Sequence, residues 1–295
     1  MKLIQRVWLA IPLALSLHAT SLLATAQTVD AQPDPTPLPT YLKDRGTGVA
    51  TSMFGTYVRR GEVIVYPFFE YYRDRNLEYK PAEFGAVGDT DFRGRYRAKE
   101  ELLFLGYGLT EDLALEFEIA TIQASFEKSP LDTSALPNRI EESGLGDVAA
   151  QVRWRWKRET ESRPEFFSYG EVVFPHHRNK FLIGTPGWEL KAGTGLIKGF
   201  SWGTMTFRGA IDYSGASDSK FDLGEFAVEY LKRVSPKWRL YAGVEGNQDE
   251  LSLITEAQWH LSRRYFIRFN NGLGITSKAT DWAPEFGIVF TIPSR

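Results

Sequence analysis

Between residues 62 and 293 one pattern recurs: an apolar side chain followed by a polar one, over runs of roughly 10–14 residues set apart by polar or glycine-containing breaks. An extended strand sends successive side chains to opposite faces, so each run makes a strand with one oily face and one wet one. In Val148-Ala149-Ala150-Gln151-Val152-Arg153-Trp154-Arg155-Trp156-Lys157, the valines, Ala150 and both tryptophans share one face, against Ala149, Gln151, both arginines and Lys157. The alternation returns at 113–119, 251–261 and 265–270. Sustained helical periodicity is almost absent.

This reading places strands near 62–74, 92–107, 112–126, 145–158, 165–175, 187–198, 202–213, 222–234, 238–248, 250–262, 264–275 and 283–293. Their number is even and their connections alternate. Tight links (109–111, 159–164, 199–201, 235–237, 262–263) follow every second strand, and longer polar ones (75–91, 127–144, 176–186, 214–221) mostly lie between, with 248–250 as a short exception. Short turns on one side and long loops on the other describe an antiparallel up-and-down barrel of about 12 strands in the bacterial outer membrane, with both termini on the periplasmic side.

A soluble lipocalin-like barrel or a sandwich would use the same alternation with the apolar face turned inward. Two features favour apolar-out. Strands of about 11 residues suit a tilted membrane span. Trp or Tyr also recurs at strand ends (Tyr107, Trp154, Trp156, Trp188, Trp202, Tyr213, Trp238, Trp259, Tyr265, Trp282), where an aromatic girdle would sit. Composition agrees: 14% of residues are aromatic, 8 of them Trp, yet mean hydropathy is −0.28. Net charge of −2 gives no sign of a nucleic-acid partner, and the absence of cysteine excludes a disulfide framework.

The first residues read as a secretory signal: Lys2 and Arg6, an apolar run over 7–17, and Ala24-Thr25-Ala26 for cleavage after Ala26. Residues 27–61 form a lead-in, rich in proline at Pro33, Pro35, Pro37 and Pro39, whose part from Asp44 onward has no strand assignment and is placed at the periplasmic mouth. Residues 62–295 are the barrel. Its last strand carries Phe286, Ile288, Phe290 and Ile292 on one face, like the C-terminal signal of outer-membrane proteins, although Pro293-Ser294-Arg295 follow.

Two stretches point further. Tyr107-Gly108-Leu109-Thr110-Glu111-Asp112-Leu113-Ala114-Leu115 forms a hairpin, and Ser143-Gly144-Leu145-Gly146-Asp147-Val148 opens the fourth strand. In these, and in architecture over 62–292, the chain resembles the outer-membrane family associated with the meta-pathway of phenol degradation, described as transporters. The resemblance implies uptake of small molecules, aromatic ones among them.

If the apolar face meets lipid, the other lists the lumen: Arg93, Arg95, Arg97 and Lys99 on strand two; Glu116 and Glu118 on strand three; Gln151, Arg153 and Arg155 on strand four; then Glu171, Glu189, Lys191, Arg208, Asp212, Glu225, Glu229, Arg239, Glu245, Glu256, His260, Arg268 and Glu285. This expects an acidic strand between two basic ladders. Strict alternation fails at Lys99-Glu100-Glu101, where either a β-bulge or an early end of the membrane-embedded part is expected.

Such a lumen suits a channel or facilitator for small solutes screened by charge. The alternative is a non-conducting structural or adhesion barrel whose loops carry function. Enzymatic readings find little support. His260 falls near a periplasmic turn, His176-His177 has no accompanying serine motif, and nothing in the spacing of Asp132, Glu141 and Glu142 joins them to that pair as a protease would need. Adjacent histidines without Cys are a poor metal set, and Gly193-Thr194-Gly195 lies in a strand, where glycine relieves crowding. No catalytic residue, cofactor or metal is therefore expected. The expected partners are outer-membrane lipid and an unidentified small solute, with oligomeric state open.

Overall fold

The computed structural model describes residues 38–177, 179–215 and 220–293; the proposed signal and most of the proline-rich lead-in lie outside them. The alternating runs form twelve antiparallel strands: β3 (Val63–Tyr79), β4 (Phe92–Gly108), β5 (Leu113–Glu127), β6 (Arg139–Lys157), β7 (Glu165–Phe174), β8 (Glu189–Phe200), β9 (Gly203–Ser214), β10 (Phe221–Arg233), β11 (Trp238–Gly246), β12 (Leu251–His260), β13 (Tyr265–Gly274) and β14 (Ala283–Ile292). Each pairs with its sequence neighbours, and β14 closes on β3 through Glu285↔Glu70, Phe286↔Phe69 and Phe290↔Val65. Before them lie a 3-10 turn at Thr40–Leu42 and a miniature hairpin of β1 (Val49–Ala50) and β2 (Tyr57–Val58), which forms a separate two-stranded sheet.

The apolar face points outward. Phe69, Leu103, Leu115, Phe117, Val152, Leu240, Phe269 and Phe290 are exposed, while Glu116, Gln151, Arg153, Glu256, Gln258 and Arg268 are buried on the opposite face. Two aromatic rims bound this belt. At the short-turn end Trp238 stacks on Trp259 with centroids 5.9 Å apart, and Phe200 stacks on Trp202 at 4.8 Å. At the other end Phe174 meets Trp188 at 5.1 Å and Tyr71 meets Trp282 at 6.1 Å. Inside, a Cβ on Gly193 would meet the Tyr169 ring at 2.2 Å and one on Gly195 the Phe167 ring at 2.5 Å, so these glycines make room for two inward aromatic rings.

One strand departs from expectation. Ala98, Leu102 and Phe104 of β4 are buried, so the odd-numbered residues face out, and Arg93, Arg95, Arg97 and Lys99 stand on the outer surface rather than in the lumen. The acidic strand β5 therefore has a basic inner neighbour only on the β6 side; on the β4 side Glu118 pairs with Phe104 and Glu116 with Gly106. The reason is local. From Leu102 to Leu105 both faces of β4 are apolar, so polarity cannot set the parity there, and the charges begin where the strand has already left the belt. No bulge interrupts Lys99-Glu100-Glu101, whose pairing with Tyr71, Glu70 and Phe69 is continuous. The apolar belt ends early instead. The register shifts lie elsewhere, between Asp74 and Leu77, Ile119 and Thr121, Arg155 and Lys157, and Leu223 and Phe226.

Above Phe69, Leu103 and Leu145, the outward positions of β3–β6 are polar: Tyr71, Arg73, Lys99, Arg97, Arg95, Gln123, Ser125, Glu141 and Arg139 among them. These strands run on into water. Phe117→Arg, in the middle of the belt, is expected to destabilise the barrel by about 2–4 kcal/mol, whereas Gln123→Arg on the same face of β5 above the belt costs about 0–1 kcal/mol. Urea unfolding in lipid vesicles measures both, and equal costs would displace the belt boundary drawn here.

Candidate functional site: a plugged polar lumen

The short-turn end of the barrel is filled from within by the chain's own segment 39–62. It enters against β8, where a Cβ on Gly199 would lie 1.8 Å from the Tyr41 carbonyl oxygen, and leaves against β4, where a Cβ on Gly108 would lie 1.9 Å from that of Arg59. Only glycine permits either approach. At the exit Gly61 N–H donates to the Gly108 carbonyl at 2.6 Å and Gly108 N–H to that of Glu62 at 3.0 Å.

Between these points the segment is held by wall charges. Arg45, almost wholly buried, donates to Glu159 at 3.1 Å and Glu165 at 2.8 Å, carboxylates equally removed from solvent. Asp44 accepts from the Arg233 backbone N–H at 2.9 Å and pairs with Lys232 at 3.6 Å. Arg155 donates to the Gly48 carbonyl and, at 2.9 Å, to Asp112. Arg153 reaches the carbonyls of Ala50 and Thr51 while its guanidinium lies over the rings of Phe167 and Tyr169, at 5.2 and 4.9 Å. Glu116 accepts from the backbone N–H and hydroxyl of Ser52. At the tip, Phe54 stacks on Tyr241 at 5.0 Å, lies 5.7 Å from the Arg208 guanidinium and accepts from Gln258 at 3.3 Å.

Beyond the tip the inner face carries its own network. Arg208 gathers Glu225, Glu229 and Glu245; Lys191 links Glu171 at 3.7 Å and Glu225 at 3.3 Å; Arg268 binds Glu256 beneath the Tyr66 ring. Glu285 accepts from Tyr66 and Asn270. Glu118, Glu189, Asp212, Arg239 and His260 also occupy inward positions. Thus every sequence-expected inward residue except the four cations of β4 faces the interior. Glu70 and Glu100, inward but not among the expected lumen residues, make no ion pair among the described residues, nor does Glu118. At the long-loop end a cavity of about 570 Å³ opens, lined by Leu77, Tyr79, Phe84, Phe181, Glu171, Glu189, Lys191 and Asp212, among others.

Sequence reasoning missed Asp44, Arg45, Asp112, Glu159 and Glu165. Asp112 and Glu165 stand at the first residue of an expected strand, beside a turn, Glu159 in a turn, and the other two in the lead-in, where alternation gives no face. The signal available was the concentration of charge at the short turns, as in Lys157-Arg158-Glu159 and Arg163-Pro164-Glu165. His176-His177 belongs to a loop pinned by Asp147, which accepts from the His176 and Thr185 backbone N–H groups at 2.7 and 2.6 Å.

A closed twelve-stranded ring with an apolar exterior, two aromatic rims and a polar, ion-paired interior defines a bacterial outer-membrane β-barrel. Compared with known proteins, the chain matches no family model, and no curated protein matches it in sequence. Among solved structures it is similar to an outer membrane channel from Pseudomonas putida F1, at TM-score 0.56 and 16% identity, covering 90% of this chain and all of that one. It is also similar to the translocator domain of the autotransporter NalP from Neisseria meningitidis, at TM-score 0.50 and 10% identity, covering 94% and 97%. These likenesses concern the fold.

Removing one partner of a buried ion pair strands the other, at about 3–5 kcal/mol. Arg45→Ala should therefore release the segment, seen as protease cleavage at Arg59-Arg60 in folded barrels, and Glu159→Gln with Glu165→Gln in the same chain should restore protection in part. A second expectation concerns pH. The Arg158 guanidinium bonded to Asp112, with Arg155 beside it, holds that carboxyl below its usual range. Because the folded value is depressed, the contribution is present above the unfolded value and is lost as pH falls through the folded one. Asp112→Asn should thus lower the unfolding midpoint at neutral pH, and the difference should vanish in strong acid.

Proposed function

We propose that the protein is a passive channel for small solutes, entered from the outer surface through the acid-rich cavity and closed at the periplasmic end by segment 39–62. The observation that carries this is the polar inner wall leading from that cavity down to a plug held by side-chain ion pairs and hydrogen bonds rather than by the barrel's backbone ladder. Acids exceed lysines in the cavity lining, with Glu78, Glu83, Glu171, Glu189, Asp212, Asp222, Asp249 and Glu250 against Lys191 and Lys278. Such a field favours cations and neutral molecules over anions. The apolar strip of Leu77, Tyr79, Phe84 and Phe181 on the same wall suits a ring or short chain, which accords with the aromatic solutes implied by the family resemblance. The likeness to the outer membrane channel from Pseudomonas putida F1 supports the same reading.

Passage requires the plug to shift. In planar bilayers the wild type should give small, cation-preferring currents and Arg45→Ala larger ones. Glu70→Gln combined with Glu118→Gln should reduce the cation preference several-fold. Silence from both wild type and Arg45→Ala would defeat the channel and leave the non-conducting barrel, for which the filled periplasmic half already argues. Unchanged selectivity in the double variant would remove the role given to the acids.

A further inference from the structure

The four cations that β4 turns outward form part of a surface with no counterpart in the solute path. On the outer face of β3–β6, above the belt residues Phe69, Leu103 and Leu145, a groove of about 560 Å³ is lined by Tyr71, Arg97, Lys99, Gln123, Arg139 and the carboxylates Glu141 and Glu142, among others, with Arg73 bordering it in register with Arg97. Its charge arrangement is unfavourable as it stands. Arg97 is paired in register with Arg73 on one side and Ser125 on the other, and Lys99 with Tyr71 and Gln123. Like charges directly opposed across strands destabilise a sheet. The neighbouring cations have acids: Arg93 binds Glu78 at 2.6 Å, Arg95 lies 3.8 Å from Glu127, and Arg139 pairs with Glu127 and Glu141. Among the described residues no ion pair reaches Arg73, Arg97 or Lys99, and Glu101, two residues below Lys99 on the same face, does not close on it.

We infer that this groove binds the phosphorylated glycolipid of the outer leaflet, with its phosphates between Arg73, Arg97 and Lys99 and its acyl chains against the apolar face below. Guanidinium groups recognise phosphate through paired, charge-assisted hydrogen bonds, and a second ligand charge would neutralise the opposed arginines. Height supports the assignment. Lys99 lies one outward position, and Arg73 and Arg97 two, above the row of Phe69 and Leu145, where headgroups lie, and below Glu101 and Thr121 of that row the face is apolar through Leu103, Leu105, Leu115 and Phe117. A free phosphate would use only the upper half of such a surface; a lipid uses both.

The test titrates the folded, detergent-solubilised protein with bisphosphorylated lipid A and with its dephosphorylated form, counting bound lipid by native mass spectrometry. The phosphorylated form should bind at least tenfold more tightly. Arg73→Ser/Arg97→Ser/Lys99→Ser should abolish that preference, Arg73→Lys/Arg97→Lys should keep most of it, and Lys237→Ser at the opposite rim should leave it unchanged. Heat-modifiable gel mobility reports folding of each variant. If the triple variant does not fold, the wild-type comparison between the two lipids decides alone. Equal affinity for both lipids, an undiminished folded triple variant, or displacement of lipid A by equimolar inorganic phosphate would each overturn the inference.

Discussion

A hydrocarbon interior offers no partner to a backbone N–H or C=O, and the pairing of β14 with β3 is what removes the last unpaired edges from this chain. Everything else follows from that closure. Once the ring is complete, each strand has one face in lipid and one inside, and the period-two pattern becomes a division between two solvents. The outward half can be simple, since Leu, Val, Phe and the rim tryptophans need only be apolar. The inward half has to place charged groups in a confined space, where each must find a partner or water.

The way those groups are satisfied explains the N-terminal segment. A carboxylate or guanidinium taken from water costs several kcal/mol unless it is paired and hydrogen-bonded. At the short-turn end Glu159 and Glu165 find Arg45, Arg153 finds two carbonyls of the plug, and Glu116 finds Ser52. The plug is therefore more than filler, because the wall there would be charge-frustrated without it. Towards the outer end the wall relies on its own pairs, such as Arg208 with three glutamates, and leaves Glu70, Glu100 and Glu118 without cations. Tight pairing below and loose pairing above divide the lumen into a closed part and a receptive one.

The strands were legible because lipid imposes a clean alternation, and their ends fell close to the expected positions wherever the belt sets them. Legibility failed where that pressure stops. The last residues of β3 and the first of β6, 75–79 and 139–144, stand above the membrane, where either face accepts polar residues, so nothing in the sequence marked them as strand. The parity of β4 failed for a related reason: Leu102, Leu103, Phe104 and Leu105 are apolar on both faces because Leu102 and Phe104 pack in the inner cluster with Tyr66 and Phe68. The segment 39–62 was opaque because its structure is dictated by the wall it touches. Two-residue strands and a single 3-10 turn have no periodicity to read.

The misplaced ladder also changes what the barrel is as an electrostatic object. With Arg93, Arg95, Arg97 and Lys99 inside, the lumen would have been a balanced mixture of signs, able to neutralise itself and close. With those charges outside, the inner wall above the plug is dominated by carboxylates and the outer wall at headgroup height by cations. Opposite signs on the two sides of the same strands are held apart by the sheet, cannot form contact pairs, and are screened by solvent on each side. Each surface keeps its own field, the inner one biased towards cations and the outer one towards anionic headgroups. A strand that reads as ambiguous in sequence thereby serves two environments at once, and the parity of β4 decides which charge each of them meets.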